Sequence, residues 1–113
     1  SGTSSNMNAN EVIARLPGTA AGVAVHPNDH VNLGQSSNDV VPTAIRVMAA
    51  LQAAQELLPA LRHLRKAIDA RGKALGRQAK TGRTHLMDAM PLTFSQEFGA
   101  WSAQLESARM RIE

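Results

Sequence analysis

The stretch VVPTAIRVMAALQAAQELLPALRHLRKAIDARGKAL, residues 40–75, decides how the remaining sequence is read. Its apolar positions Val40, Ala44, Val47, Leu51, Ala54, Leu58 and Leu61 alternate steps of four and three, and Ile68 and Leu75 continue the register. That spacing belongs to a helix with one apolar seam, not to a strand. Arg65 and Gly72 interrupt the seam near its end. Pro42 is expected in the first turn, where a missing N–H is harmless. Pro59 is expected to bend or divide the helix.

Length turns this pattern into an architectural argument. A helix from Asp39 to about Gly76 would extend about 57 Å at ~1.5 Å per residue. A compact globule of this size has a radius of gyration of only about 13 Å. The seam therefore needs helices from further sequence or from other subunits. A second seam, Phe94, Phe98, Trp101, Leu105, Ala108 and Ile112, repeats the demand, with Pro91 as the expected opener of its helix. A short helix is expected over Asn10–Leu16, stopping before Pro17 and Gly18. The expected fold class is all-α, a long-helix bundle in an oligomer.

Composition agrees and excludes several classes. The 113 residues suffice for about one domain, with 43% apolar residues but only 3% aromatics, so a core would be built from Ala, Leu, Val and Met. Without cysteine there is no disulfide framework and no thiolate metal site. No run approaches the ~18 apolar residues of a membrane span, and no signal-peptide pattern is present. The net charge of +3 is concentrated between Arg62 and Arg83, where eight basic residues face one acid, Asp69. The plain reading is a solvated helix face; an electropositive approach for a small anion comes next. A nucleic-acid patch ranks last, because no aromatics interleave the charges. The chain opens on Ser1 and ends in mid-pattern at ARMRIE, as expected for a segment of something longer.

Three polar blocks separate the helical patterns: SGTSSNMNANE (1–11), HPNDHVNLGQSSND (26–39) and KTGRTHLMDAMP (80–91). Each precedes a helical segment and is rich in hydroxyls and amides. Helix N-termini carry unpaired N–H groups and partial positive charge. Added Ser, Thr and Asn donors make a carboxylate cradle without a full ion pair, which suits a dianionic product that must leave. Any single block reads more readily as ordinary helix capping than as a site; three together shift the balance towards a site.

The four histidines differ. His63 lies among LRHLRK on a helix face and reads as solvated, and His30 follows a turn. His26 begins the HPND turn, where it either contacts an anion or closes the loop. His85, in a loop beside Arg83 and Thr84, is the acid/base candidate. His26 with Asp29, or His85 with Asp88, gives only two metal ligands, so no metal site is expected. No phosphate loop or dinucleotide fingerprint is present.

GTSSNMNANEVIA, HPNDHVNLGQSSND and TGRTHLMDAMPLTFSQEF, in that order, resemble successive blocks of the fumarase/aspartase superfamily, most closely its class II fumarate hydratases. The histidine of GRTH points to the hydratases; aspartase-like members tend to have glutamine there. The resemblance implies a nearly all-helical subunit whose central helices build a homotetramer, with active sites shared between subunits. Residues 1–33 would close an N-terminal domain, and residues 34–113 would begin the central bundle.

The implied activity is reversible, cofactor-independent hydration of fumarate to L-malate, in the cytoplasm or in a eukaryotic mitochondrial matrix. Within the superfamily, an aspartate ammonia-lyase is the alternative; a non-catalytic helical assembly module is the alternative outside it. Carried over residue by residue, Ser1, Thr3, Ser36, Ser37, Asn38 and Thr84 would bind the dicarboxylate, and His85 would be catalytic. His26, Asn28 and Asp29 resemble a second anion-binding turn. Three departures stand out. Val23, Ala24 and Val25 occupy the place where relatives often carry a basic residue before HPND, and RLPGTAAGVAV is shorter than its counterpart in many of them. The family's GSSxMPxKxNP loop, with its serine base, does not occur in this sequence.

Overall fold

The computed structural model describes residues 2–22 and 24–113, with the side chains of 17–21 left aside. Its elements in order are helix α1 (Thr3–Ala21), a π-helical turn (Pro27–Val31), α2 (Ser37–Gln52), a π segment (Ala53–Leu57), α3 (Leu58–Leu75), strands β1 (Ala79–Thr84) and β2 (Met87–Thr93), and α4 (Phe94–Ile112). The helical fold class holds, with one small antiparallel hairpin added. One compact unit ends at Ala50 and the other begins at Leu51.

In the first unit, α1 is longer than expected at both ends. It starts at Thr3 rather than Asn10, because the polar block is itself the start of the helix. Its buried face is Asn6, Asn10 and Ala14, four residues apart and therefore on one side. Two of those three are amides, so an apolar pattern does not reveal the face. The helix passes Pro17 and ends at Gly22, whose φ of 65° suits a left-handed cap. Proline cannot donate to the carbonyl of Ile13, and Ile13 is exposed, where water can replace the missing donor. Pro42 likewise stands inside α2 rather than in its first turn. It has no N–H for the Asn38 carbonyl; both residues are exposed, which keeps that loss small.

In the second unit, Pro59 sits in the first turn of α3, directly after the π segment, so the expected division falls where proline is tolerated. Helices α3 and α4 pack antiparallel. Arg65 and Gly72, the two interruptions of the seam, lie on the α4 side of α3. Gly72 is buried, and a Cβ there would stand 3.3 Å from Phe98 Cβ. Arg65 Nη1 meets Glu106 Oε2 at 2.5 Å, and its Nε lies 3.4 Å from the buried Ser102 Oγ. Glu106 in turn takes a two-pronged contact from Arg109 (2.9 and 3.0 Å), and Arg109 also pairs with Glu113. The Arg109 guanidinium, and Arg65 beside it, holds the Glu106 carboxyl down to about 2. Glu106 and Glu113 hold the Arg109 guanidinium above its ordinary range.

The basic run is thus partly neutralised by carboxylates. Arg62 faces Glu113 at 3.6 Å, Lys80 faces Glu97 at 2.6 Å and Arg83 faces Asp88 at 3.4 Å. The apolar seam stays largely open. Val47 is 53% exposed, Leu51 49% and Trp101 45%. Trp101 meets Phe98 edge to face, with ring centroids 5.1 Å apart, but does not join a buried seam.

The block Lys80–Pro91, expected to be a loop leading into a helix, is the hairpin instead. Pro91 pairs with Thr81 inside it and opens no helix; proline is admissible because each strand of a two-stranded sheet has a free edge. Helix α4 opens at Phe94 through a capping box. Thr93 Oγ1 accepts from Gln96 N at 3.2 Å, and Thr93 N donates to Gln96 Oε1 at 2.8 Å.

Candidate functional site

Two helix N-termini meet in the first unit. Gly2, with φ of 67°, lets the chain enter α1 directly beside α2. A Cβ on Gly2 would lie 2.8 Å from Val41 Cγ1, so only glycine allows this approach. The result is that Thr3 Oγ1 stands 3.2 Å from Ser37 Oγ, across 34 residues of sequence. Ser36 caps α2: its Oγ accepts from Asn38 N at 3.3 Å, and its carbonyl accepts from Asp39 N and Val40 N. Asn38 is exposed on that first turn. The structure therefore brings together Thr3, Ser36, Ser37 and Asn38. Ser1 lies outside the described residues.

Such an arrangement can bind an anion. Both helix ends carry partial positive charge; the first turn of α1 has no side-chain cap, whereas on α2 Ser36 takes Asn38 N and Asp39 N. The hydroxyls of Thr3, Ser36 and Ser37 add donors that rotate to suit an acceptor.

The HPND turn is a separate feature of the same unit. His26 caps the π turn, its Nδ1 accepting from Asn28 N at 3.3 Å and Asp29 N at 3.1 Å. Asp29 Oδ2 lies 3.2 Å from the same nitrogen. His30 completes the clasp, accepting the His26 N–H on Nδ1 at 2.8 Å. His26, Asn28 and Asp29 are thus held together, but the His26 ring occupies the two N–H groups that an anion would use. His30 gains a structural part in closing the turn.

Thr84 and His85 belong to the second unit, at the tip of the hairpin. The loop has two residues, His85 and Leu86, between the paired Thr84 and Met87. Both have positive φ, 51° and 61°, as a type I′ turn requires. Asparagine and glycine usually fill such positions, so this His-Leu pair is a strained choice. A register shift between Thr81 and Arg83 sets Gly82 opposite two residues of β2. A Cβ on Gly82 would come within 2.5 Å of the Met90 carbonyl oxygen, so a side chain there is excluded. Arg83 and Asp88 then flank the tip, and Lys80 Nζ ties the hairpin's base to α4 through both oxygens of Glu97, 2.6 and 2.7 Å away. His85 is exposed at the corner, with Leu86 fully exposed beside it.

Sequence reasoning missed Asn6, Asn10 and Asn32. Asn32 Oδ1 accepts from Asn6 Nδ2 at 3.3 Å and from Asn10 Nδ2 at 3.0 Å. For Asn6 and Asn10 the signal was available: amides four residues apart share one helix face. Among the described residues no three His, Asp or Glu side chains gather as a metal site. No helix among them is long and apolar enough to cross a membrane.

Known proteins place the chain. It is 70% identical over 112 residues to the class II fumarate hydratase of Xylella fastidiosa, a match covering 99% of this chain and 24% of that protein. Among solved structures it is similar to the Brucella melitensis fumarate lyase:delta crystallin, with TM-score 0.85 and 46% identity over 97% of this chain and 26% of that one. The Schistosoma mansoni class II fumarase superposes with TM-score 0.80 and 42% identity, over 96% of this chain and 24% of its own. The chain spans about a quarter of the length of the curated relatives it matches. The lyase family itself matches residues 1–113, and the chain belongs to that family.

Proposed function

We propose that this chain supplies part of the substrate site of a fumarate hydratase, which interconverts fumarate and L-malate. The observation that carries the reading is the meeting of α1 and α2 at the Thr3–Ser37 hydroxyl pair. In the dehydration direction a base takes the C3 proton of malate, and its electron pair moves into the adjacent carboxylate, giving an aci-carboxylate. Hydroxide then leaves C2 and departs as water after taking a proton. Charge grows on one carboxylate before the C–O bond breaks, so fixed donors aimed at that carboxylate lower the barrier. Ser1, Thr3, Ser36, Ser37, Asn38 and Thr84 are the proposed substrate-binding residues, and His85 exchanges the proton of the leaving or attacking water. The C3 base is not among them, because this sequence carries no GSSxMPxKxNP loop.

His26, Asn28 and Asp29 are proposed as a second anion site that opens only when the His26 ring swings off the Asn28 and Asp29 N–H groups. No cofactor is needed for this chemistry. Residues 1–33 belong in this reading to the end of an N-terminal domain, and residues 34–113 to the start of a central bundle. The open seam at Val47 and Leu51 supports assembly into a homotetramer with shared sites, and this chain by itself is expected to be inactive. A cytoplasmic or matrix location fits a soluble enzyme of this type.

The test is fumarate absorbance with the full-length polypeptide carrying this sequence, given malate or aspartate. A rise with malate alone supports the hydratase. A rise with aspartate alone assigns an ammonia-lyase, and no rise with either removes the enzymatic reading.

A further inference from the structure

Asn32 stands where the polar features of the first unit join. Its side-chain oxygen accepts from Asn6 and Asn10, both on the buried face of α1 and only 8% and 4% exposed. Its backbone N–H donates to the Pro27 carbonyl at 3.0 Å, closing the HPND turn. Its carbonyl accepts from Gln35 N at 3.1 Å, which starts the turn into Ser36. One residue thus ties α1, the π turn and the entry to α2.

The chemistry of the contact is specific. An amide oxygen has two acceptor sites, and donors four residues apart on a helix fill both. Apolar side chains at these positions would bury as well but would let α1 slide along its neighbour. Directional bonds fix one position, and a satisfied buried network is rigid for that reason. The position that is fixed is that of the α1 N-terminus, because Asn6 lies one turn beyond Thr3.

We infer that Asn32 is a positioning residue for the carboxylate cradle. Through Asn6 and Asn10 it sets α1 so that Thr3 Oγ1 meets Ser37 Oγ. The inference rests on the reading of that hydroxyl pair as substrate-binding. Asn32 touches no substrate and acts only through the placement of Thr3.

A double-mutant cycle with malate as substrate, in the full-length polypeptide, tests it. Asn32→Ala is expected to lower kcat/KM about 10-fold, the scale of a small displacement of a binding group. In a Thr3→Ala background the same substitution should change kcat/KM less than about 2-fold, since the group it positions is gone. Asn6→Ala, which leaves the shorter Asn10 bond in place, should give a smaller loss with the same non-additivity. It is the variant to use if Asn32→Ala does not fold. Equal losses in the wild-type and Thr3→Ala backgrounds would overturn the positioning role while leaving the hydratase reading intact. A wild type with no malate turnover would instead overturn the hydratase reading, and this inference with it.

Discussion

Thr3 Oγ1 and Ser37 Oγ lie 3.2 Å apart although 34 residues separate them, and each sits on the first turn of its own helix. If both hydroxyls contact one substrate carboxylate, removing either should weaken it by a charge-assisted hydrogen bond. Thr3→Val keeps the shape and deletes the donor. Its kcat/KM for malate, from initial rates in the full-length polypeptide, should fall about 10- to 100-fold, equivalent to roughly 1.5–3 kcal/mol. An unchanged kcat/KM would remove Thr3 from the site.

His85→Asn separates chemistry from backbone conformation. Asparagine tolerates positive φ better than most residues, so the turn at 51° should survive. Turnover should fall by about 100-fold or more, as for loss of an acid/base group, while the melting temperature stays within a few degrees. Wild-type turnover in this variant would exclude His85 from proton transfer.

Gly82→Ala should damage the hairpin. The new methyl meets the Met90 carbonyl at 2.5 Å, a backbone atom that cannot swing aside. Overpacking of this kind costs about 1–3 kcal/mol. Amide hydrogen exchange should show lost protection in β1 and β2 before α4 is affected, because α4 is also held by α3 through Gly72 against Phe98 and Arg65 against Glu106. Native protection in the strands would contradict the close approach at Gly82.

Stability should depend on acid through Glu106. Its carboxyl is held below the ordinary glutamate range, to about 2, first by the Arg109 hydrogen bond and then by the charges of Arg109 and Arg65. The folded state therefore binds this proton less readily than the unfolded chain. The contribution is complete above the ordinary glutamate range and is lost as pH falls through that range towards about 2. Glu106→Gln removes the titration. The gap in melting temperature between wild type and variant should be constant near neutral pH and shrink across that acidic window. A gap independent of pH would show that the ion cluster does not contribute in solution.

Much of this was legible in the sequence, and the failures share a physical cause. Steps of three and four found α2, α3 and α4 because their apolar residues repeat at helical spacing. The same rule misjudged Arg65 and Gly72, which are not apolar in the usual sense yet form the α3–α4 contact by charge and by absence of a side chain. It missed most of α1 because Asn6 and Asn10 make its buried face. The hairpin was hidden because His-Leu lacks the Asn-Gly signature of its turn, and because Pro91 reads more readily as a helix opener than as a strand residue. Of the residues proposed for the site, Thr3, Ser36, Ser37 and Asn38 stand as a hydrogen-bonding group at two helix starts. Asn32 was not accessible, since nothing in its immediate neighbours announces two donors on a helix elsewhere in the chain.

The bulge at Gly82 fixes a count as well as a shape. Ala79, Lys80 and Thr81 pair with Thr93, Leu92 and Pro91, and that register, continued without interruption, would end in a three-residue loop of His85, Leu86 and Met87. The bulge absorbs one residue of β2 and shortens the loop to two, which leaves His85 at one of only two corners. Insertion or deletion of a single residue between Gly82 and Met90 would change the loop's arithmetic and move the imidazole off that corner, even with every other side chain retained. Away from Gly82, this hairpin should therefore tolerate changes of residue far better than changes of length.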